Sequence, residues 1–121
     1  MSVQALAGVD VYVCPAQGAS LAEDRALSDL IGDLYSSGAR FVAIPLARLG
    51  PDFLRLSSGV AGEVLQKLVN YRRQVAIVGD TAEAAENSVP LRDFIRESNR
   101  GPSVWFVADL AALERKLIAG P

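Results

Sequence analysis

Three groups of residues in this 121-residue sequence have the types and spacing to do chemistry. The first is Ser57-Ser58-Gly59, which runs directly into an apolar-periodic stretch from Val60 to Arg72. A helix start carries free backbone N–H groups and the positive pole of the dipole. A serine hydroxyl there is a cap, a phosphoacceptor or part of an anion site. The second group is Gly62, Glu63, Gln66 and Asn70, which share one face of that helix. Glutamine and asparagine offer directional hydrogen bonds, and a glycine lets another backbone come close. The face reads either as a docking surface for a protein partner or as a solvated one. The third group sits at the ends of other elements. Asp80 follows an apolar run, where it binds a cation, acts as a base or caps a turn. Arg100, in Glu97-Ser98-Asn99-Arg100, holds a phosphate or carboxylate, or closes its helix in an ion pair. Tyr71, near a helix end, is placed to expose its hydroxyl. Asp80, Tyr71 and Arg100 together make the candidate ligand rim.

Other chemistries are closed off by composition. There is no histidine, which removes the commonest acid–base group near neutral pH and the commonest zinc ligand. No metal site and no cofactor are expected. No Gly-x-Gly-x-x-Gly or Walker loop is present, and no Gly-x-Ser-x-Gly elbow. Cys14 is the only cysteine, so no disulfide can form within the chain, which fits a reducing compartment. Beside Pro15 at a strand end it reads as a small buried hydrophobe. The net charge is −2 and the pI about 5.0, against a nucleic-acid partner. No apolar run is long enough to span a membrane. Met1 to Gly8 lacks the basic start and apolar core of a signal peptide. A cytoplasmic protein is expected.

The elements that must position these residues are written as alternating periodicities. Val3 to Leu6 and Val9 to Cys14 flank Gly8 and predict an N-terminal hairpin. Val9, Val11 and Val13 fall on one face, and Asp10, Tyr12 and Cys14 on the other. Ser20 and Glu23 have capping-box spacing and open a helix carrying Leu21, Leu27, Leu30, Ile31 and Leu34, which Gly38 stops. Arg40 to Leu46 and Gln74 to Gly79 are nearly continuous apolar runs, as strands covered on both faces are. A helical turn is expected over Pro51 to Leu54, with Phe53 and Leu56 plugging the core. Asp80 to Asn87 reads as a polar loop or short irregular helix. Ser88 caps a helix with Pro90 in its first turn, and Gly101 stops it. Ser103 to Ala108 is the last strand, Asp109 caps a last helix that buries Leu110, Leu113 and Leu117, and Gly120-Pro121 is tail. Strands alternating with helices predict one α/β domain over residues 1–121. Its mostly parallel sheet has four or five strands, and its working loops lie outside the carboxyl ends of the strands.

That element order resembles the STAS domain of bacterial anti-sigma-factor antagonists. Leu56-Ser57-Ser58-Gly59 stands where that family has Asp-Ser-Ser/Thr-Gly, with Leu56 in place of the aspartate. The resemblance implies a phosphorylation switch at Ser58. A second likeness covers nearly the whole chain. Gly59 to Glu63, Gln66-Lys67, Asn70 to Arg72, Gly79-Asp80, Leu91 to Phe94, Glu97 to Gly101 and Val104 to Val107 resemble a bacterial family known as domain of unknown function 4180. That resemblance implies a family and brings no activity with it. The expected function is a regulatory or protein-interaction domain without catalysis, its partner surface formed by Ser57, Ser58, Gly62, Glu63, Gln66 and Asn70. The alternative is a small enzyme or ligand-binding protein with a pocket at the carboxyl rim. A homodimer pairing through exposed helix faces is a third arrangement.

Overall fold

A computed structural model describes residues 3–120. Met1 and Ser2, in the stretch screened for a signal peptide, and Pro121, in the expected tail, lie outside the described residues. Five strands, β1 (Val3–Leu6), β2 (Val9–Val13), β3 (Phe41–Pro45), β4 (Gln74–Val78) and β5 (Val104–Val107), form one sheet in the order β1-β2-β3-β4-β5. β1 and β2 are the antiparallel hairpin, and every later pair is parallel. The helices are α1 (Asp24–Ser37), α2 (Val60–Asn70), α3 (Ala82–Glu86), α4 (Val89–Arg100) and α5 (Leu110–Ala119).

The alternation of each strand divides the core in two. Tyr12, Val42, Ile44, Val75, Ile77 and Phe106 point to one face, where they meet Leu27, Leu30, Ile31 and Leu34 of α1 and Ala61, Val64, Leu65 and Leu68 of α2. Phe94 and Ile95 of α4 complete that layer, with Phe94 edge-on to Phe106 at 5.9 Å between ring centroids. Val11, Phe41, Ala43, Ala76, Trp105 and Val107 point to the other face, where, among the described residues, α5 is the one helix to supply a fully buried side chain, Leu113. Because each strand is laid down on the same side of the one before it, the order never reverses. The sheet therefore lacks the switch-point crevice in which doubly wound folds hold dinucleotides.

Local capping chemistry explains several boundaries. Ser88 Oγ accepts from the N–H of Leu91 at 3.2 Å, and Asp109 Oδ1 from that of Ala112 at 2.8 Å. Gly38 ends α1 at φ 74°. Gly79 follows β4 because a Cβ there would lie 2.8 Å from the Cβ of Leu46, which keeps the β3 and β4 loops in contact.

Two expectations are corrected. α1 starts at Asp24, and the Ser20–Glu23 capping box does not form. Glu23 is the cap residue and makes no side-chain bond. Ser20 Oγ instead accepts from Ala22 N at 3.2 Å. The cause is tertiary: Leu21 is buried and its N–H donates to Arg48 O at 2.7 Å, so this segment belongs to the β3 loop. Pro51 to Leu54 is a turn rather than helical, and the short 3-10 helices flank it at Leu46–Leu49 and Leu56–Ser58. Gly101 ends α4 as expected, in extended backbone at φ −90°.

Candidate functional site

The apolar stripe of α2 fixes what that helix shows to solvent. Ala61, Val64, Leu65 and Leu68 are buried, which turns Gly62, Glu63, Gln66 and Asn70 outward, all exposed. Gln66 Nε2 donates to Asn70 Oδ1 one turn on at 3.0 Å, fixing both amides on the surface. Lys67 Nζ donates to Ser28 Oγ at 3.3 Å and ties the outer surface of α2 to that of α1. Gly62 has ordinary helical backbone, and a Cβ built on it would have no heavy atom within 4 Å.

At the head of α2 the serines are placed differently from a simple cap. Gly59, at φ 80°, is the cap residue. Ser58 lies one residue earlier, at the end of the 3-10 helix, where its hydroxyl donates to Asp52 O at 2.8 Å and accepts from Val60 N at 3.2 Å. The hydroxyl thus ties the loop to the first turn of α2. Ser57 is exposed and lines a groove of about 490 Å³, whose apolar side chains (Pro51, Leu54, Leu56 and Pro90 among them) are joined by the polar Arg55, Asn87 and Ser88. The Arg55–Asp52 ion pair at 2.8 Å is exposed on both sides and adds little stability.

The candidate rim residues do not come together. Asp80, after β4, accepts from Ala82 N at 2.9 Å and so opens the turn into α3. It is outside the lining of the Ser57 groove. Tyr71 follows α2 and Arg100 ends α4, so both stand at the amino ends of the strands that come next. Arg100 approaches Glu97 at 3.6 Å, with both side chains exposed. Ser57 and Ser58 thus precede the first turn of α2, Asp80 opens the turn into α3, and Tyr71 and Arg100 stand at the amino ends of the next strands.

A second concavity was not anticipated. Tyr12 and Cys14 at the carboxyl end of β2, Asp29 and Asp33 of α1, and Arg48 after β3 line a cleft of about 450 Å³. Burial pushes the Cys14 thiol up to about 12; Arg48 pulls it down and Asp33 adds to the rise. Burial also raises the Tyr12 phenol, helped by the Asp33 carboxylate. The sequence signal was the shared strand face of Tyr12 and Cys14. What was missing was any local reason to bring Arg48 beside them. Arg48 is held there by hydrogen bonds to Pro15 O at 3.0 Å and Ala19 O at 3.1 Å.

Among the described residues no helix is long and apolar enough to cross a membrane, and no group of three potential metal ligands occurs. A family model described as "Domain of unknown function (DUF4180)" matches residues 6–117. No curated protein matches the chain, and no solved structure does.

Proposed function

The chain therefore belongs to this domain-of-unknown-function family, and from that premise we propose that it is a non-catalytic regulatory domain, which docks a protein partner through the outer face of α2 in the bacterial cytoplasm. Gly62 carries the proposal. It lies inside a helix, exposed, with open space where a side chain would stand. Alanine would be accommodated there and would favour the helix by about 1 kcal/mol. Among the described residues nothing uses the missing side chain; the same holds for Gly32 in α1, but Gly62 alone of the two lies on the face of Glu63, Gln66 and Asn70, where a partner backbone laid against the helix would use it. Glu63, Gln66 and Asn70 surround it with polar groups of fixed direction, and the groove beside Ser57 extends the surface.

Regulation is assigned to Ser58. A phosphate there removes the O–H donated to Asp52 and places a charge of about −2 at the head of α2. The loop from Asp52 to Gly59 is released from its present hold, and the edge of the docking face changes. The test is a photo-crosslinking side chain placed at Gln66 and, as a control, at Arg115 on α5. Gln66 is expected to give a discrete adduct that Ser58→Asp abolishes, and Arg115 none. The same products from both positions, or none from Gln66, would remove the docking face. Light scattering over a concentration range shows whether the partner is a second copy.

A further inference from the structure

The carboxyl rim holds a candidate small-molecule site distinct from the α2 face. The cleft beside Cys14, about 450 Å³, falls in the size range of small-ligand pockets, roughly 300–1,000 Å³. Tyr12, Cys14 and Leu30 form its apolar part, while α1 and the loop after β3 supply its charges.

Three features of its lining keep bonding capacity that the molecule does not fill, although the Asp33 carboxylate already interacts with the Tyr12 hydroxyl. Arg25, Asp29 and Asp33 recur every fourth residue along α1, so Asp29 and Asp33 are like charges one turn apart, a spacing that costs helix stability. None of the three forms an ion pair among the described residues, although Arg25 and Asp29 have the spacing for one. Arg48 is clamped by Nε and Nη1 to the carbonyls of Ala19, Pro15 and Gln17, and its Nη2 makes no hydrogen bond among the described residues. Asp33 and Arg48 both act on the Tyr12 hydroxyl and the Cys14 thiol, so opposite charges flank these two side chains without closing on each other. Finally, the Cys14 side chain is 3 % exposed, borders the cleft and has no hydrogen-bond partner among the described residues.

A simple anion entering this cleft would face Glu23, Asp29 and Asp33, and a simple cation would face Arg25 and Arg48. A ligand bearing both charges meets a partner for each. We propose that the cleft binds a small zwitterion of the amino-acid class. Its carboxylate rests on Arg48 and Arg25, its ammonium on Asp33 and Asp29, and its apolar chain against Tyr12, Cys14 and Leu30. Arg48 then has two jobs, holding the loop after β2 with three hydrogen bonds and presenting its free Nη2 to the ligand.

The experiment is a titration of the isotope-labelled protein followed by amide resonances. The probes are L-leucine, with 3-methylbutylamine and 4-methylpentanoate as its singly charged counterparts, and 5-aminopentanoate, with butylamine and pentanoate as its counterparts. At least one zwitterion is expected to shift the amides of Tyr12, Cys14 and the first turns of α1, with a Kd of about 1 mM or tighter. The singly charged compounds are expected to bind at least tenfold more weakly. Asp33→Asn is expected to weaken the zwitterion about tenfold while its amide spectrum elsewhere remains native, which separates a lost contact from a lost fold. The proposal is overturned if neither zwitterion shifts these amides, if the amine or the acid binds as tightly as the zwitterion, or if Asp33→Asn folds and binds unchanged.

Discussion

Cys14 shows how one side chain's surroundings decide its chemistry. Its neighbours include a guanidinium, which on its own would favour the thiolate, yet burial wins and the thiol is pushed up to about 12. Burial thereby favours the neutral thiol near pH 7, and a stability term is created. The unfolded chain gives up this proton near pH 9, whereas the folded protein holds it until about 12. Between those values the folded state binds more protons, so stability is fully present below about pH 9 and falls as pH rises. The slope attributable to one such group is at most about 1.4 kcal/mol per pH unit. Urea unfolding of the native protein and of Cys14→Ala at pH 8, 9, 10 and 11 is expected to show the steeper decline in the native protein. Tyr12 also titrates late, in the same direction, and Cys14 contributes to its rise, so Cys14→Ala removes that contribution as well and the comparison reads the two neighbouring groups together. Parallel declines would mean that the thiol is not held in its neutral form.

At the scale of the element, α2 combines a buried stripe that any helix of its pattern would have with an exposed glycine that stability alone would not retain. Gly62→Ala is expected to raise stability by about 0.5–1 kcal/mol, seen as a rise of roughly 2–6 °C in Tm. If the α2 face docks a partner, the same substitution weakens crosslinking at Gln66. A stabilised protein with undiminished crosslinking would leave the glycine without the role proposed for it. The face of α2 was legible in the sequence because 3.6-residue periodicity fixes which residues share a side. The caps at Ser88 and Asp109 were legible because their bonds reach only three residues along the chain. The start of α1 was not, because Leu21 is bound by Arg48, 27 positions away in the chain, and tertiary pairing overrode a good local signal. The cleft was hidden for the same reason: Tyr12, Asp33 and Arg48 come from three segments whose meeting depends on how α1 lies on the sheet. Grouping Tyr71 and Arg100 with Asp80 as a ligand rim overlooks the direction of the Arg100 helix, which is legible from the element order and carries that end to the rim opposite Ser58.

Across the whole molecule the two faces of the sheet are unequally covered, and the alternation of strands and helices explains why. Successive parallel strands added on one side carry α1, α2 and α4 to one face, leaving the other to the single helix that follows the last strand. α5 has 10 residues, too few to persist alone, since isolated helices shorter than about 12–15 residues are marginal in water. It is held by Leu113, which is fully buried, and by Leu110, Ala112 and Leu117 packed around the same cluster. Lys116 adds a cation 4.9 Å from the centroid of the Trp105 ring, with its Nζ also donating to Asn99 O at 3.0 Å. Truncating Leu113 to alanine should cost about 2–5 kcal/mol, a large part of the roughly 5–15 kcal/mol that holds a domain folded. Because α5 connects to the rest of the core across one interface, that loss is expected to free the helix before the remainder unfolds. Trp105 lies under it, 5 % exposed, and reports the event directly. In Leu113→Ala, tryptophan emission is expected to shift to the red at lower urea than the main loss of helical circular dichroism. In Leu68→Ala, which removes a buried contact from the three-helix face, the two signals should move together. Coincident transitions in both variants would show that α5 shares the cooperativity of the whole sheet and that its thin layer is no weaker than the thick one.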